Sequence, residues 1–529
     1  MNSINYKKNE VDVDKEIETM SDFSGLTIEN NPEMGVADKE NEHNESVTLF
    51  IDNAIKPTIL EHSSVLNALM NELKPIDFFQ RAKLGDGEKL ENNHFLVISI
   101  EEILDKAKEN YWSLCTSNGF LYVFNGAYWK QISKEEMSSF LGQCGERLGV
   151  EIYVARFYTF REALVRQFWS ASYLPKPESK RNEVLINLKN GTFVITPDKQ
   201  YLRGFDRSDF ITYQLSFDYD ESKQAPLFNK YLDKVLPDQV QQKVLAEYVG
   251  YVFVKQKKLK LEKAMVLFGS GANGKSVFFD IVCELLGREN VSNYTLESLT
   301  NSNGYSRAKL GDKLLNYASE ISPNMDSTVF KQLVSGEAIE ARLPYKEPFL
   351  LQDYAKFIFN TNTLPKDVEH NEAFFRRFIL INFNVTIPED QRDTELANKI
   401  ISNELPGVFN WVLEGLKRLL ANGNFTFSPT IDQAVKQYRL QSDTVHLFLD
   451  DNEFVASTDK EIALKELYTG YKNYCSDSGF KQASVKTFSE RIRNLGYDVT
   501  RKSGGNVVGI MKKSFETPAF VTSNTSIDF

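Results

Sequence analysis

Hydrophobic positions along this chain follow two different periods, which predict helices in some segments and strands in others. Apolar residues recur at helical spacing from Val240 to Val252, and this predicts an amphipathic helix. The continuous apolar run from Ala264 to Phe268 predicts a short buried strand. Between residues 95 and 235, Asn125-Gly126 and Asn190-Gly191 each lie between β-prone aromatic runs, which is typical of hairpin turns. That region is therefore expected to be α+β.

These patterns and the local composition divide the chain into five segments. After residue 255 strands and helices alternate, which indicates an α/β domain. The first segment is rich in Asp, Glu, Asn and Ser and is expected to be disordered, because it cannot bury enough apolar surface. The expected order is an acidic tail (1–46), an α+β N-terminal domain (47–236), an α/β domain (237–430), a compact basic domain (440–514) and a short tail (515–529).

The distribution of charge bears on the class of partner. The 529 residues carry a net charge of -11, which at first argues against a polyanionic partner. The first 50 residues hold 12 Asp and Glu against 4 Lys, so most of the negative charge lies there. The rest of the chain is nearly neutral and can carry a local basic stripe.

The number of cysteines and the hydropathy of the chain bear on its cellular compartment and on whether it binds a metal. The four cysteines are far apart and the five histidines never cluster with them, so no zinc site is expected. The N-terminus lacks the apolar core of a signal peptide, and no run approaches the roughly 18 apolar residues of a membrane span. We therefore expect a cytoplasmic protein with no membrane partner.

A glycine-rich loop directly follows the strand that ends at Phe268 and directly precedes a helical pattern. The loop fits GxxxxGK[ST] in full, with the residues Gly269, Ser270, Gly271, Ala272, Asn273, Gly274, Lys275 and Ser276. In this context the loop amides and the helix N-terminus converge on phosphate, Lys275 reaches the β- and γ-phosphates, and Ser276 offers a hydroxyl to Mg²⁺. The sequence therefore predicts a site for ATP and Mg²⁺.

Two further apolar strands end in polar residues that suit nucleotide hydrolysis. The strand Lys313–Ser319 is followed by Glu320, a carboxylate that organises Mg²⁺, activates water, or does both. The strand Lys356–Thr361 is followed by Asn362, whose amide can orient the attacking water. Both residues are predicted to belong to the catalytic site.

Basic side chains mark two more places in the same domain. Arg376 and Arg377 precede a fourth strand, where an arginine can reach the γ-phosphate of a neighbouring subunit or form an ordinary salt bridge. Between the second and third strands, a hairpin with a proline-flanked tip holds Arg342, Tyr345 and Lys346. An aromatic ring and an ammonium at one tip suit single-stranded DNA, although a solvated loop has the same composition.

The compact basic domain has the pattern helix, turn, helix and two-stranded wing, which predicts a winged helix. The first helix has an apolar face made of Leu464, Leu467, Tyr468, Tyr471 and Tyr474. The second helix begins after the N-cap Ser484 and is expected to turn inward Val485, Phe488, Ile492 and Leu495.

The charge of this domain is opposite to that of the whole chain. From Glu461 to Lys513 there are 10 Lys and Arg against 5 Asp and Glu. Phosphate and groove contacts are predicted on the outer face of the second helix and at the wing. A solvated basic face that binds no DNA is the alternative. The predicted contact residues are Lys486, Arg491, Arg493, Arg501 and Lys502.

The order of these motifs resembles the superfamily III helicases of viruses, phages and plasmids. The segments that look like the phage/plasmid and poxvirus primase-helicase group are GSGANGKS, KLLNYASE, KQLVSGEAIEARLPYKEPF, FIFNTNTLP and FFRRFILINF. Upstream segments such as YVFNGAYWK and SDFITYQLSFDYD are also similar to that group, so the resemblance covers roughly residues 95 to 514.

This resemblance implies an α/β fold with an AAA+ P-loop ATPase core, which assembles as a homo-oligomer, usually a hexamer, around single-stranded DNA and moves 3′ to 5′. It implies that Arg377 is the arginine finger rather than Arg376, since the family pattern is arginine, two or three apolar residues and then a strand. The other matching residues are Lys275 and Ser276 of Walker A, Glu320 of Walker B, Tyr345 and Lys346 of the pore hairpin, and Asn362 of the sensor.

Two departures from the family narrow the expected function. The stretch before the covered region is too short for the primase domain that many relatives carry, so no primer synthesis is expected and a separate primase or initiator becomes a candidate partner. Ser319 replaces the usual first acid of Walker B. We expect an ATP-dependent helicase on single-stranded and forked DNA for replication of a phage, plasmid or other mobile element. The alternative is an origin-binding AAA+ scaffold or initiator that uses ATP mainly for assembly.

Overall fold

The computed structural model describes residues 48–49, 59–117, 119–174, 183–196, 199–255, 258–318, 321, 325–364 and 370–513. The predicted tails, 1–46 and 515–529, lie outside the described residues, and so does Glu320. No helix within the described ranges is long and apolar enough to cross a membrane.

The N-terminal part is α+β, as predicted, and contains two sheets. Its strands are β1 (Thr48–Leu49), β2 (Ser113–Ser117), β3 (Phe120–Phe124), β4 (Trp129–Ile132), β5 (Val184–Leu188), β6 (Gly191–Ile195) and β7 (Gln200–Arg203). Its helices are α1 (His62–Glu72), α2 (Phe78–Arg81), α3 (Asn92–Glu109), α4 (Lys134–Leu148), α5 (Ile152–Arg156), α6 (Tyr158–Ala171) and α7 (Pro226–Val235).

Both predicted Asn-Gly hairpins are confirmed. Asn125 turns the chain between β3 and β4, and its Oδ1 accepts hydrogen bonds from the N–H groups of Ala127 and Tyr128, both at 3.0 Å. The second turn joins β5 to β6, with Leu188 paired opposite Gly191. β2, β3 and β4 form one sheet, and β5, β6 and β7 form the other, which β1 extends in parallel at its edge.

The central part contains a five-stranded sheet in which every strand is parallel to its neighbours. Its strands are β8 (Ala264–Phe268), β9 (Val291–Ser292), β10 (Leu315–Ala318), β13 (Lys356–Thr361) and β14 (Phe378–Asn382), and a separate hairpin consists of β11 (Ile339–Ala341) and β12 (Phe349–Leu351). Its helices are α8 (Gln239–Tyr251), α9 (Lys275–Leu286), α10 (Leu296–Thr300), α11 (Tyr305–Ala308), α12 (Ser327–Ser335), α13 (Glu372–Phe375), α14 (Leu396–Asn422) and α15 (Pro429–Gln441).

The order of strands in this sheet is β14, β8, β13, β10 and β9. β13 is thus inserted between β8 and β10, although it comes later in the chain than both. Because the strands are parallel, the carboxyl ends of β8, β13 and β10 lie side by side at one edge of the sheet. The predicted amphipathic helix and the predicted strand before the glycine-rich loop are confirmed as α8 and β8.

One continuous hydrophobic core crosses the predicted domain boundary at residue 237. It joins Phe193 of β6 and Phe228 of α7 to Leu245 of α8, Leu267 of β8 and Phe409 of α14. A second core packs α1, α3, α4 and α6 against β2 and β3. The second sheet and α7 therefore support the central sheet directly and stiffen one face of it.

The C-terminal part consists of three helices and an antiparallel sheet of order β15, β17, β16. Its elements are α16 (Thr444–Asp451), β15 (Phe454–Ala463), α17 (Leu464–Ser478), α18 (Val485–Asn494), β16 (Val499–Lys502) and β17 (Gly505–Lys512). The N-cap at Ser484 is confirmed, because its side chain accepts from the N–H of Thr487. The predicted inward position of Val485 is wrong, since this residue is 48% exposed on the first turn of α18, at the edge of the core.

Candidate functional site

The predicted phosphate loop joins β8 to α9 at the carboxyl edge of the parallel sheet. Its backbone is left-handed at Gly271 (φ 103°), Ala272 (φ 50°) and Gly274 (φ 88°). Such angles are easy for glycine and let a short chain curl around one point. α9 then begins at Lys275, and the first N–H groups of a helix have no partner within it. This geometry suits an anion at the end of the helix.

Lys275 lies inside this loop. Its Nζ donates to the carbonyl oxygen of Gly269 at 2.8 Å and to Oδ1 of Asn273 at 3.0 Å. The residue is only 7% exposed, and burial lowers the pKa of its ammonium. Neither of these two partners carries a full negative charge, and within the described part of the chain a phosphate would be the counter-charge for this buried cation.

Neighbouring elements hold the loop in place and leave its outer end open. Nδ2 of Asn273 donates to the carbonyl oxygen of Phe383 at 3.0 Å. A Cβ at Gly269 would lie 2.4 Å from that same oxygen, so the position requires glycine. Ser276 follows on the first turn of α9 and is exposed. These donors fit a phosphate beside Lys275 and a magnesium ion beside the hydroxyl of Ser276.

Asn362 lies beside the loop at the same edge of the sheet. β13 ends at Thr361, which pairs in register with Phe268, the last residue of β8. Asn362 and the loop therefore leave adjacent strands at the same level, and Asn362 is exposed. β10, the next strand of the sheet, ends at Ala318, and the predicted catalytic residue Glu320 lies outside the described part of the chain.

The two candidate finger arginines lie at the opposite, amino edge of the sheet. The carbonyl oxygen of Arg377 accepts from the N–H of Ala264, the first residue of β8, at 2.8 Å. The length of β8, roughly 16 Å at about 3.3 Å per residue, separates this position from the phosphate loop. Arg376 and Arg377 are therefore too far from their own loop to contact a phosphate there.

Exposure reverses the predicted ranking of these two arginines. The side chain of Arg377 is 9% exposed, and its guanidinium donates to Oγ of Ser335 at 2.8 Å and to the carbonyl oxygen of Ala373. The side chain of Arg376 is 57% exposed, and its Nη2 lies 3.2 Å from Oε2 of Glu262. The preference for Arg377 as finger disagrees with this placement, because a guanidinium enclosed by its own subunit cannot extend into a neighbour.

The predicted hairpin is present between β11 and β12, with Ala341 paired opposite Phe349. Tyr345 at the tip is fully exposed and adopts a positive φ of 61°. Lys346 is exposed beside it. Arg342 instead donates through Nε to the carbonyl oxygen of Lys346 at 2.9 Å and so braces the tip. The tip offers a ring and an ammonium to solvent, as the sequence predicts.

The basic residues of the C-terminal part fall into two groups. Lys486 and Arg493 on α18 and Arg501 and Lys502 on β16 are exposed. Nζ of Lys502 lies 2.5 Å from a carboxylate oxygen of Glu461 on β15, the other edge strand of the same sheet. The four form an exposed basic surface, in which the charge of Lys502 is partly offset by Glu461.

The prediction that Arg491 lies on the outer face of α18 is wrong. Its Nη1 lies 3.1 Å from Oδ1 of Asp443, and the two side chains are 18% and 4% exposed. Asp443 is also the N-cap of α16 and accepts from the N–H of Val445 at 3.0 Å. Arg491 therefore joins α18 to the start of α16, because a buried carboxylate lies within its reach.

Two residues of these sites have no counterpart in the sequence prediction. The hydroxyl of Tyr231 on α7 donates to the carbonyl oxygen of Gly274 at 2.8 Å and thereby supports the phosphate loop. The sequence does not indicate this contact, because an aromatic residue on the buried face of α7 is already accounted for by core packing. The second residue is Glu262, which pairs with both arginines. The sequence does mark it, because it is the only acidic residue in the lysine-rich run KQKKLKLEK at 255–263.

Two protein families match parts of the chain. Residues 101–237 match a family described as "D5 N terminal like". Residues 267–377 match a family described as "Family of unknown function (DUF5906)". The second match runs from the end of β8, through the phosphate loop and the hairpin, to Arg377.

The chain is also similar to one viral protein in sequence and to two solved structures in fold. "Putative helicase L207/L206" of Acanthamoeba polyphaga mimivirus is 22% identical over 348 residues, which are 60% of this chain and 36% of that protein. The chain thus spans about a third of that relative's length. Two apo structures of the NrS-1 C-terminal region are 14% identical with a TM-score of 0.44, and the matches cover 81% and 79% of this chain and 100% and 99% of theirs. In sequence, the chain is similar to a D5-type N-terminal region and to a viral protein named as a helicase.

Proposed function

We propose that this protein is an ATP-driven DNA helicase that serves replication of a phage, plasmid or other mobile element. The phosphate loop carries the proposal, because the hydrogen-bond partners of the buried Lys275 among the described residues are uncharged and a nucleotide phosphate would give it a counter-charge. The similarity to a viral protein named as a helicase supports the same class of activity.

The order of strands in the central sheet supports an assignment of catalytic residues in the proposed AAA+ core. Asn362 lies between the loop and the end of β10, where it can orient the attacking water. Glu320 follows β10 and is assigned the activation of that water. Mg²⁺, held by Ser276 and ordered by Glu320, would neutralise charge on the β- and γ-phosphates.

Hydrolysis is proposed to require a neighbouring subunit. Arg376 is exposed at the amino edge of the sheet, far from its own loop, and is therefore assigned as the finger that reaches a neighbour's γ-phosphate. A site shared in this way needs a closed homo-oligomer, and the family resemblance favours a hexamer. The same resemblance favours 3′ to 5′ movement. The low cysteine content favours the cytoplasm of the bacterial or host cell as the location.

Two surfaces are proposed to hold DNA. Tyr345 and Lys346 at the hairpin tip would grip the single strand, the ring by stacking on a base and the ammonium by pairing with phosphate. The C-terminal part, assigned as a winged helix, would bind the forked or duplex end through Lys486, Arg493, Arg501 and Lys502. A separate primase or initiator would act beside it.

One observation favours a second candidate, an origin-binding scaffold or initiator that uses ATP mainly to assemble. Ser319 stands where the usual Walker B pair has its first acid, and a thinner acidic set weakens hydrolysis more than it weakens binding. The two candidates differ in whether ATP turnover rises with DNA and separates strands.

Lys346→Ala tests the motor directly. Because its ammonium is assigned to the DNA backbone and not to the nucleotide, we expect unwinding of a 3′-tailed duplex to be lost while ATPase without DNA is largely kept. Lys309→Ala, which removes an exposed lysine outside the hairpin, is the matched control. Unwinding by Lys346→Ala at the wild-type rate would contradict the proposed contact between the hairpin tip and the DNA strand. Ring assembly on DNA without unwinding by the wild-type chain would favour the scaffold.

A further inference from the structure

A buried polar contact joins the amino edge of the sheet to the hairpin. Nη2 of Arg377 donates to the hydroxyl of Ser335 at 2.8 Å. Ser335 is the last residue of α12 and is 1% exposed. The short segment 336–338 alone separates it from β11, which begins at Ile339. The hydroxyl therefore lies where the hairpin begins.

The end of α12 and both strands of the hairpin are tied together. The hydroxyl of Tyr354, which follows β12, is 3.1 Å from the carbonyl oxygen of Leu333 and 3.0 Å from that of Glu337. Arg307 of α11 donates through Nε to the carbonyl oxygen of Glu340 in β11 at 2.9 Å. The end of α12 and the start of the hairpin thus share the hydroxyl of Tyr354, and α11 holds β11 in addition.

Arg377 is also tied to the exposed Arg376. Oε2 of Glu262 lies 3.2 Å from Nη2 of Arg376 and 3.4 Å from Nη2 of Arg377, so one carboxylate oxygen serves both guanidinium groups. The buried Nε of Arg377 has no hydrogen-bond partner among the described residues. A buried donor without a partner is costly, so the present arrangement does not use all the hydrogen bonds that Arg377 can make.

We propose that Glu262, Arg377 and Ser335 form a positioning link that carries the state of the neighbouring nucleotide, read by Arg376, to the hairpin. The link rests on the proposed function. Oε1 of Glu262 also pairs with Lys260 at 3.5 Å, whereas both arginines share Oε2. When Arg376 leaves for a γ-phosphate, Oε2 is left to Arg377 alone, and the guanidinium shifts against Ser335. Loss of the phosphate returns Arg376 to Glu262 and reverses the shift. Ser335 is a positioning residue, because it lies buried at the opposite edge of the sheet from the phosphate loop.

Ser335→Ala tests the link in the full chain. The hydroxyl is far from the nucleotide, so we expect ATPase without DNA to stay within about twofold of wild type. We expect the number of base pairs unwound per ATP to fall about fivefold, the effect of one lost hydrogen bond of ordinary strength. Both quantities are measured on the same 3′-tailed duplex.

Ser99→Ala is the matched control, because Ser99 is also a fully buried helical serine but its hydroxyl has no hydrogen-bond partner among the described residues. Ser99→Ala should change neither the ATPase without DNA nor the number of base pairs unwound per ATP.

Glu262→Gln should also lower the number of base pairs unwound per ATP. Ser335→Ala combined with Arg377→Lys should lower it no further than the stronger single variant, since both break one link.

Each result decides between the link and its absence. Wild-type coupling in Ser335→Ala would overturn the link while leaving the motor intact. An equal loss of ATPase without DNA and of unwinding, with a lower melting temperature, would reduce Ser335 to a structural residue and overturn it too. A wild-type chain that hydrolyses ATP without unwinding would overturn the proposed function, and the link with it.

Discussion

The phosphate loop and the basic surface of the C-terminal part are both proposed to meet phosphate, yet they are built in opposite ways. The loop takes its groups from eight consecutive residues, and its lysine is buried with two hydrogen bonds of 2.8 and 3.0 Å. The basic surface takes its charges from a helix and a strand, and those side chains are exposed. The loop lysine is held by hydrogen bonds within the loop, whereas the charges of the surface stand on separate exposed side chains.

This difference sets how much each residue is expected to contribute. A buried ammonium faces phosphate in a medium of low effective dielectric constant, so one residue carries a large share of the interaction. An exposed ammonium is screened by salt within about 8–10 Å, so each contributes little and the number of charges matters. Single substitutions should therefore be severe in the loop and mild on the surface.

Lys275→Ala is expected to have the largest effect. Removing the ammonium leaves the developing charge on the β- and γ-phosphates without its fixed counter-charge, so ATP hydrolysis should fall at least about 100-fold. Steady-state phosphate release measures this. Mixing these subunits with Arg376→Ala subunits should restore part of the activity if sites are shared between neighbours. Hydrolysis by Lys275→Ala at the wild-type rate would show that this loop is not the site of ATP hydrolysis.

Arg491→Ala should have the next largest effect, on stability instead of DNA affinity. It leaves the buried carboxylate of Asp443 without its cation, which costs about 3 kcal/mol of the free energy of unfolding of the C-terminal part. Urea unfolding measures the change, and Arg493→Ala, an exposed arginine of the same helix, should stay within about 0.5 kcal/mol. A stable Arg491→Ala protein with weak DNA binding would place Arg491 back on the DNA surface.

Lys486→Ala should have the smallest effect. The loss of one phosphate contact should lower the slope of log K against log salt by about one and weaken duplex affinity only a few-fold at physiological salt. A fluorescence anisotropy titration across salt concentrations measures both. Lys465→Ala, on α17, is the control with equal charge. An unchanged slope for Lys486→Ala would remove α18 from the DNA surface.

Elements with a local cause were predictable from the sequence. The strand β8, the loop and α9 follow one another without interruption, so their identity needs only neighbouring residues. The turn at Asn125 is of the same kind, because its side chain caps its own turn. The hairpin with Tyr345 at its tip also forms from one contiguous stretch. In these segments the sequence determined both the structure and the chemistry that it offers.

Only the tertiary structure decided the features that depend on distant residues. No local pattern places β13 between β8 and β10, because parallel strands are joined by long connections. Adjacent arginines look alike in sequence, yet Ser335 and Glu262 enclose Arg377 and leave Arg376 at the surface. A charged side chain turns toward whichever partner lowers its energy most, and folding alone determines which partner lies within reach.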